Sequence, residues 1–190
     1  MYQQAFLQNY NPPRTIECAL SKAINASLQH NRTYSPNIDQ NIKTQFKNRW
    51  SSELIKIGNL FQQQRDLNFY YKQVIKLQQI MNDNFYNILM HPDPVYENGF
   101  RISHSQKSIS VYLKHLWCLG SQEGGRGFTI IPDPPCCPID GRMQRITGAH
   151  YNRRWTQMNQ INEIRDVLNQ FQNLANRKGL SIAMWECQLF

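Results

Sequence analysis

The sequence predicts an all-α fold, a compact array of seven or eight helices arranged in two lobes with a cleft between them. Three observations lead there. Apolar residues recur at intervals of three and four through most of the chain, helix-opening Ser, Asp and Pro residues stand ahead of those runs, and strand-like alternation is almost absent. A chain of 190 residues suits one domain, 1–190, with helical lobes over roughly 14–90 and 100–190. It is long enough to bury a core without disulfide or metal staples.

From Arg14 to His30, Ile16, Leu20, Ile24 and Leu28 fall on every fourth position, and Ala19, Ala23 and Ala26 raise helix propensity. Ser35-Pro36 opens a second helix carrying Ile38, Ile42, Phe46, Trp50, Leu54, Ile57 and Phe61, with a break expected near Ser51-Ser52. Asp66 caps a third whose buried face is Tyr70, Val74, Leu77 and Met81, extended by a turn through Phe85 and Leu89. The stretch from His91 to Gly99 interrupts helix, because each of its prolines removes a donor and restricts the residue before it. The next helix starts near Lys107, carries Ile109, Leu113, Leu116 and Trp117, and ends near Gly120. A glycine- and proline-rich connection runs to Pro135, with Phe128 to Ile131 as a candidate short strand. Asp140 opens a short helix through Met143 and Ile146. Ile161, Ile164, Leu168, Phe171 and Ala175 mark a longer helix stopped by Gly179, and Ser181 opens the last, with Ala183, Trp185 and Leu189.

Composition narrows function only to broad classes. No run approaches the roughly 18 apolar residues of a membrane span, and Met1-Tyr2-Gln3-Gln4 does not begin an export signal, so a cytoplasmic protein with no membrane association is expected. Five cysteines, with Cys136 and Cys137 adjacent, fit reduced thiols rather than a disulfide framework. Cys118, Cys136, Cys137, His104 and His115 lie near one another, but adjacent cysteines lack the spacing of a zinc knuckle; no metal and no cofactor is expected. Lys and Arg total 21 against 13 acidic residues, a net charge of +8 with a pI near 9.4, and this favours a polyanionic partner.

Two residues could carry chemistry. A helix capped by Ser103 or Ser105 would place the Lys107 amine in its first turn, where the helix dipole disfavours the ammonium form. A neutral amine there is a nucleophile suited to forming a Schiff base with a sugar carbon. Asp140, at a cap position after Pro138-Ile139, stays ionised and can stabilise an oxocarbenium-like centre. Lys114 is read as lying on another face of the Lys107 helix. Downstream, Arg142, Arg145, Arg153 and Arg154 are interleaved with Tyr151 and Trp155; guanidiniums grip phosphates, and rings stack on an extruded base. Plainer readings stand beside these: Asp140 as a cap alone, Lys107 as a solvated lysine, and Trp155 as core.

The order of these parts resembles the helix-hairpin-helix DNA glycosylase superfamily, in which a hairpin leads into a lysine-bearing helix, then a loop, then a proline-x-aspartate that opens the next helix. The stretch from Ser105 to Leu113 is similar to the hairpin end and its second helix, Pro138-Ile139-Asp140 to Ile146 to the aspartate motif, and Ala183 to Glu186 to the closing helix. The likeness spans residues 101–190. It implies a DNA glycosylase, with or without AP-lyase activity, that works as a monomer on double-stranded DNA, flips a modified or mismatched base, and uses Lys107 and Asp140 as its catalytic residues. Ser105 and Gln106 would then join the arginines and aromatics in holding DNA. The sequence departs from that pattern in having no glycine from Ile102 to Gln106 and in the 33-residue interval between Lys107 and Asp140. A non-catalytic helical nucleic-acid-binding protein and a basic interaction or inhibitor module fit the same charge.

Overall fold

The computed structural model describes residues 2–29, 33–35, 37–90, 98–120, 131–148 and 154–189. Among them the fold is all-α, with eight α-helices and two 3-10 turns. Helix α1 spans Tyr2–Tyr10, an element the sequence reading lacks because only Phe6 and Leu7 of its residues are buried and no polar cap announces it. Helix α2, Ile16–Leu28, opens where the Thr15 hydroxyl accepts a hydrogen bond from the Cys18 amide.

Helix α3 spans Gln40–Leu60 and differs from expectation at both points predicted for it. It opens at Asp39, whose carboxylate accepts from the Asn41 and Ile42 amides, and not at Ser35-Pro36, of which Pro36 lies outside the described residues. It also runs unbroken through Ser51 and Ser52, since Phe46, Trp50, Leu54 and Ile57 continue one buried stripe across them. Helix α4, Leu67–Phe85, is capped by Asp66 as expected, and the 3-10 turn Tyr86–Ile88 follows it.

Helix α5 spans Ile102–Gly120 and forms the axis of the molecule, with α1, α2, α3 and α4 packed around it. Apart from Val111 and Gly120 its residues are buried. So complete a burial is normally reserved for an apolar helix, and α5 achieves it by pairing most of its polar groups internally, with Ser105 Oγ and His115 Nδ1 as exceptions among the described residues. The Trp50 indole donates to Ser108 at 3.0 Å, and the Tyr70 hydroxyl shares a 2.7 Å bond with Ser110. Gly58 lets α3 come close: a Cβ there would stand 2.8 Å from Leu116 and 2.9 Å from Tyr112.

The second half closes over this axis. Helix α6, Gly141–Thr147, ends at Gly148; the 3-10 turn Trp155–Gln157 follows, then α7, Ile161–Asn176, and α8, Ile182–Cys187. Gly148 and Gly179 take φ of 64° and 65°, a left-handed conformation that stops a helix. Helix α8 starts at Ser181, whose hydroxyl accepts from the Met184 amide. Of the candidate strand, residues 128–130 lie outside the described residues, and Ile131 is a buried residue in irregular chain. Apolar residues from 6 to 89 and from 100 to 187 form one continuous core cluster.

Candidate functional site

Lys107 lies in the second turn of α5, because that helix begins five residues earlier than expected, at Ile102. The first-turn dipole argument for a neutral amine therefore does not apply. Instead of standing in solvent the lysine is 5% exposed, and its ammonium donates to Asp140 Oδ2 at 2.5 Å. Asp140 is both cap and partner. Its Oδ1 accepts from the Met143 amide at 2.8 Å and opens α6, while Oδ2 faces Lys107. Burial alone would raise its pKa, but the Lys107 charge and hydrogen bond, with backbone amides of α6, outweigh burial and hold it below the ordinary carboxylate range.

One clasp brings the two residues together across 33 positions of chain, and a second contact fixes the ring beside Lys107. Gln106, beside Lys107, donates from Nε2 to the Cys137 carbonyl at 2.9 Å and accepts at Oε1 from the Ile139 amide at 3.1 Å. This clasp docks the segment before Asp140 onto α5. Arg101, also buried, donates through Nε to the Thr156 carbonyl at 2.7 Å and so fixes the turn that carries Trp155. The Trp155 ring centre then sits 5.5 Å from the Lys107 ammonium, within range of a cation–π contact.

Lys107 and Asp140 both line a cavity of about 530 Å³. Val111, Lys114 and His115 of α5 continue the wall, and Phe6 and Tyr10 of α1 form an aromatic side, their rings stacked at 5.1 Å. Ser21, Lys22 and Asn25 of α2 and Gln29, the residue just after it, line it at exposed positions, and Glu186 of α8 also contributes. Lys114 is seven positions from Lys107, about two helical turns, so it shares the cavity-facing side of α5 instead of occupying another face. It is ion-paired with Glu186. The volume falls in the range of small-molecule sites, and apolar walls with a few convergent charges are their usual lining.

The expected DNA-contacting residues divide. Ser105 and Gln106 are buried inside α5 and reach no surface, which corrects the hairpin assigned to them; 102–106 is helix, and Gln106 spends its amide on the clasp. Arg142, Arg145 and Arg154 are exposed. Arg142 donates to the Leu189 carbonyl at 3.4 Å and Arg145 to the Gly141 carbonyl at 3.1 Å. Trp155 is 9% exposed and belongs to the core. Tyr151 and Arg153 lie outside the described residues. Sequence reasoning missed Phe6, Tyr10, Glu186 and the α2 residues as cavity lining. Spacing on α2 could have shown the last group, since Ser21, Lys22, Asn25 and Gln29 recur on one polar stripe.

Among the described residues, no group of three or more His, Cys, Asp and Glu side chains is arranged to hold a metal ion. No helix among them is long and apolar enough to cross a membrane. Comparison with known proteins finds no matching family model, no similar curated protein and no similar solved structure.

Proposed function

We propose that this protein is a DNA glycosylase, acting on a base extruded into the cavity, with Asp140 as the essential carboxylate and Lys107 as the amine that captures the sugar. The observation that supports the reading is that Lys107 and Asp140, remote in sequence, meet on the wall of one cavity large enough for a nucleobase. Cleaving an N-glycosidic bond develops positive charge on the sugar, and an ionised carboxylate held in a partly water-excluded site stabilises it. Asp140 has that state at neutral pH.

The amine needs one further step. An ammonium cannot attack, so Lys107 must first lose a proton to water, which leaves Asp140 ionised opposite the developing cation. Its nitrogen then bonds to C1′ while the C1′–N bond breaks, the electron pair leaves with the base, and the second amine proton neutralises that base. The C1′–O4′ bond then breaks as the nitrogen lone pair forms the C=N bond, O4′ takes a proton from water, and a protonated imine remains. Without proton loss from Lys107, water attacks instead and the reaction stops at base release.

A second reading has its own support. The Gln106 clasp and the ion pair together dock the segment before α6 onto α5, which is what a structural staple in a non-catalytic binding protein would do. One experiment separates them. Duplexes carrying uracil, hypoxanthine, 8-oxoguanine or an abasic site are incubated with the protein and borohydride. The glycosylase reading expects base release, lost in Asp140→Asn, and with lyase activity a covalent adduct lost in Lys107→Gln. Neither release nor adduct on any duplex would leave the staple.

A further inference from the structure

Two turns along α5 from Lys107, a second polar cluster lines the same cavity and takes no part in the chemistry above. Lys114 and Glu186 are ion-paired with side chains 7% and 3% exposed. Beside them His115 is 2% exposed, and its Nδ1 has no hydrogen-bond partner among the described residues. Burial, followed by the charges of Lys114 and Lys22, pushes its pKa down to about 3, so the ring is neutral over the ordinary pH range. The Phe6 ring meets His115 edge-on at 4.9 Å and lies 4.2 Å below the Lys114 ammonium.

These groups are poorly explained as packing. A buried ion pair generally contributes no more than apolar residues of equal volume, and an unpaired buried nitrogen lowers stability outright. On a cavity wall both make sense as recognition. A buried ammonium beside a buried carboxylate offers a donor next to an acceptor, the complement of a heterocycle edge that carries an acceptor next to an N–H. The neutral imidazole adds one more donor or acceptor, according to tautomer. Seven residues of helix separate this cluster from Lys107, about 10 Å along the axis. That leaves room for a planar ring held between a polar edge at one end and a reacting carbon at the other.

We infer that Lys114, His115 and Glu186 form the specificity end of the cavity, reading a planar, uncharged base through an edge that presents an N–H donor beside an acceptor, while its sugar-bearing end faces Asp140. The inference rests on the glycosylase reading of the cavity. It narrows the substrate class: bases whose edge N–H is alkylated, and cationic bases, are disfavoured, the latter because three ammonium groups and two carboxylates line the cavity.

The test needs no turnover. Protein labelled with 15N-histidine is titrated with deoxyuridine, deoxyinosine and deoxyadenosine to millimolar concentration, and with 3-methyldeoxyuridine and 1-methyldeoxyinosine, which lack the edge donor; the sugar caps the other ring nitrogen in every probe. The His115 resonances are assigned with His115→Gln. At least one unblocked base should shift them, and its methylated counterpart should bind tenfold more weakly or worse. Glu186→Gln should weaken the unblocked base by a similar factor. No shift with any unblocked base, or equal binding of a methylated one, overturns the inference. The wild-type titration decides the matter even where a variant fails to fold. Base release from DNA without edge dependence would sink this inference alone, whereas edge-dependent binding without release from any duplex would sink the glycosylase reading.

Discussion

Replacing Asp140 with Asn tests the centre of the site, and the structure sets the size of the effect. The Lys107 side chain is 7% exposed and Asp140 26%, so the pair is largely but not wholly withdrawn from water. Breaking a fully buried pair costs about 3–5 kcal/mol, because the surviving charge is left uncompensated. Here water reaches the carboxylate side and can hydrate the ammonium, and the single Asn oxygen still accepts from the Met143 amide while its NH2 takes the place of Oδ2 and offers Lys107 no acceptor, so the loss falls to about 2 kcal/mol. Asp140→Ala also removes the cap of α6 and should lose about 1 kcal/mol more. For a chain of this length each kcal/mol moves the thermal midpoint by about 2–4 °C, so Asp140→Asn should melt about 4–8 °C lower. The double variant Lys107→Met with Asp140→Asn should regain most of that stability, since it removes the orphaned ammonium. Urea unfolding of wild type, both single variants and the double variant measures the coupling. Strict additivity of the two single effects would refute the ion pair as a buried, coupled unit, and base release assayed on the same proteins separates its structural role from a catalytic one.

Gln106→Leu should destabilise by about 3 kcal/mol, because the Cys137 carbonyl and the Ile139 amide both lose their buried partner; unchanged urea midpoints would dismiss the clasp. His115 binds a proton less readily in the folded chain, near pH 3, than in the unfolded chain, near 6.5, so its neutral form contributes stability fully present above about pH 6.5 and lost as pH falls towards 3. At pH 5 the loss is about 2 kcal/mol, and His115→Phe should flatten the stability profile between pH 6.5 and 5, where Asp140 does not yet titrate. Ala in place of the exposed Arg142, Arg145 and Arg154 should reduce the salt slope of DNA binding by about 2–3, with an unaltered slope moving the DNA surface elsewhere.

What could be read from the chain alone was local. Asp66, Asp140 and Ser181 announce their helices because a cap needs only its own side chain and amides two or three residues on. Periodicity located the buried faces of α3, α4 and α7 for the same reason, since a helix brings residues three and four apart together without help from the rest of the fold. Lys107 and Asp140 were legible as residue types in an order, but their partnership was not. Tertiary packing decided that α5 would be the central helix, buried on nearly every side, and with that it turned a lysine expected in a first helical turn into a buried ion-paired one and a Gln106 expected to hold DNA into an internal clasp. It also placed Glu186 and Phe6, from opposite ends of the chain, on one cavity wall. No spacing rule reaches that far, because the burial of a polar side chain depends on whether distant segments supply its hydrogen bonds, and those partners are chosen by the fold as a whole.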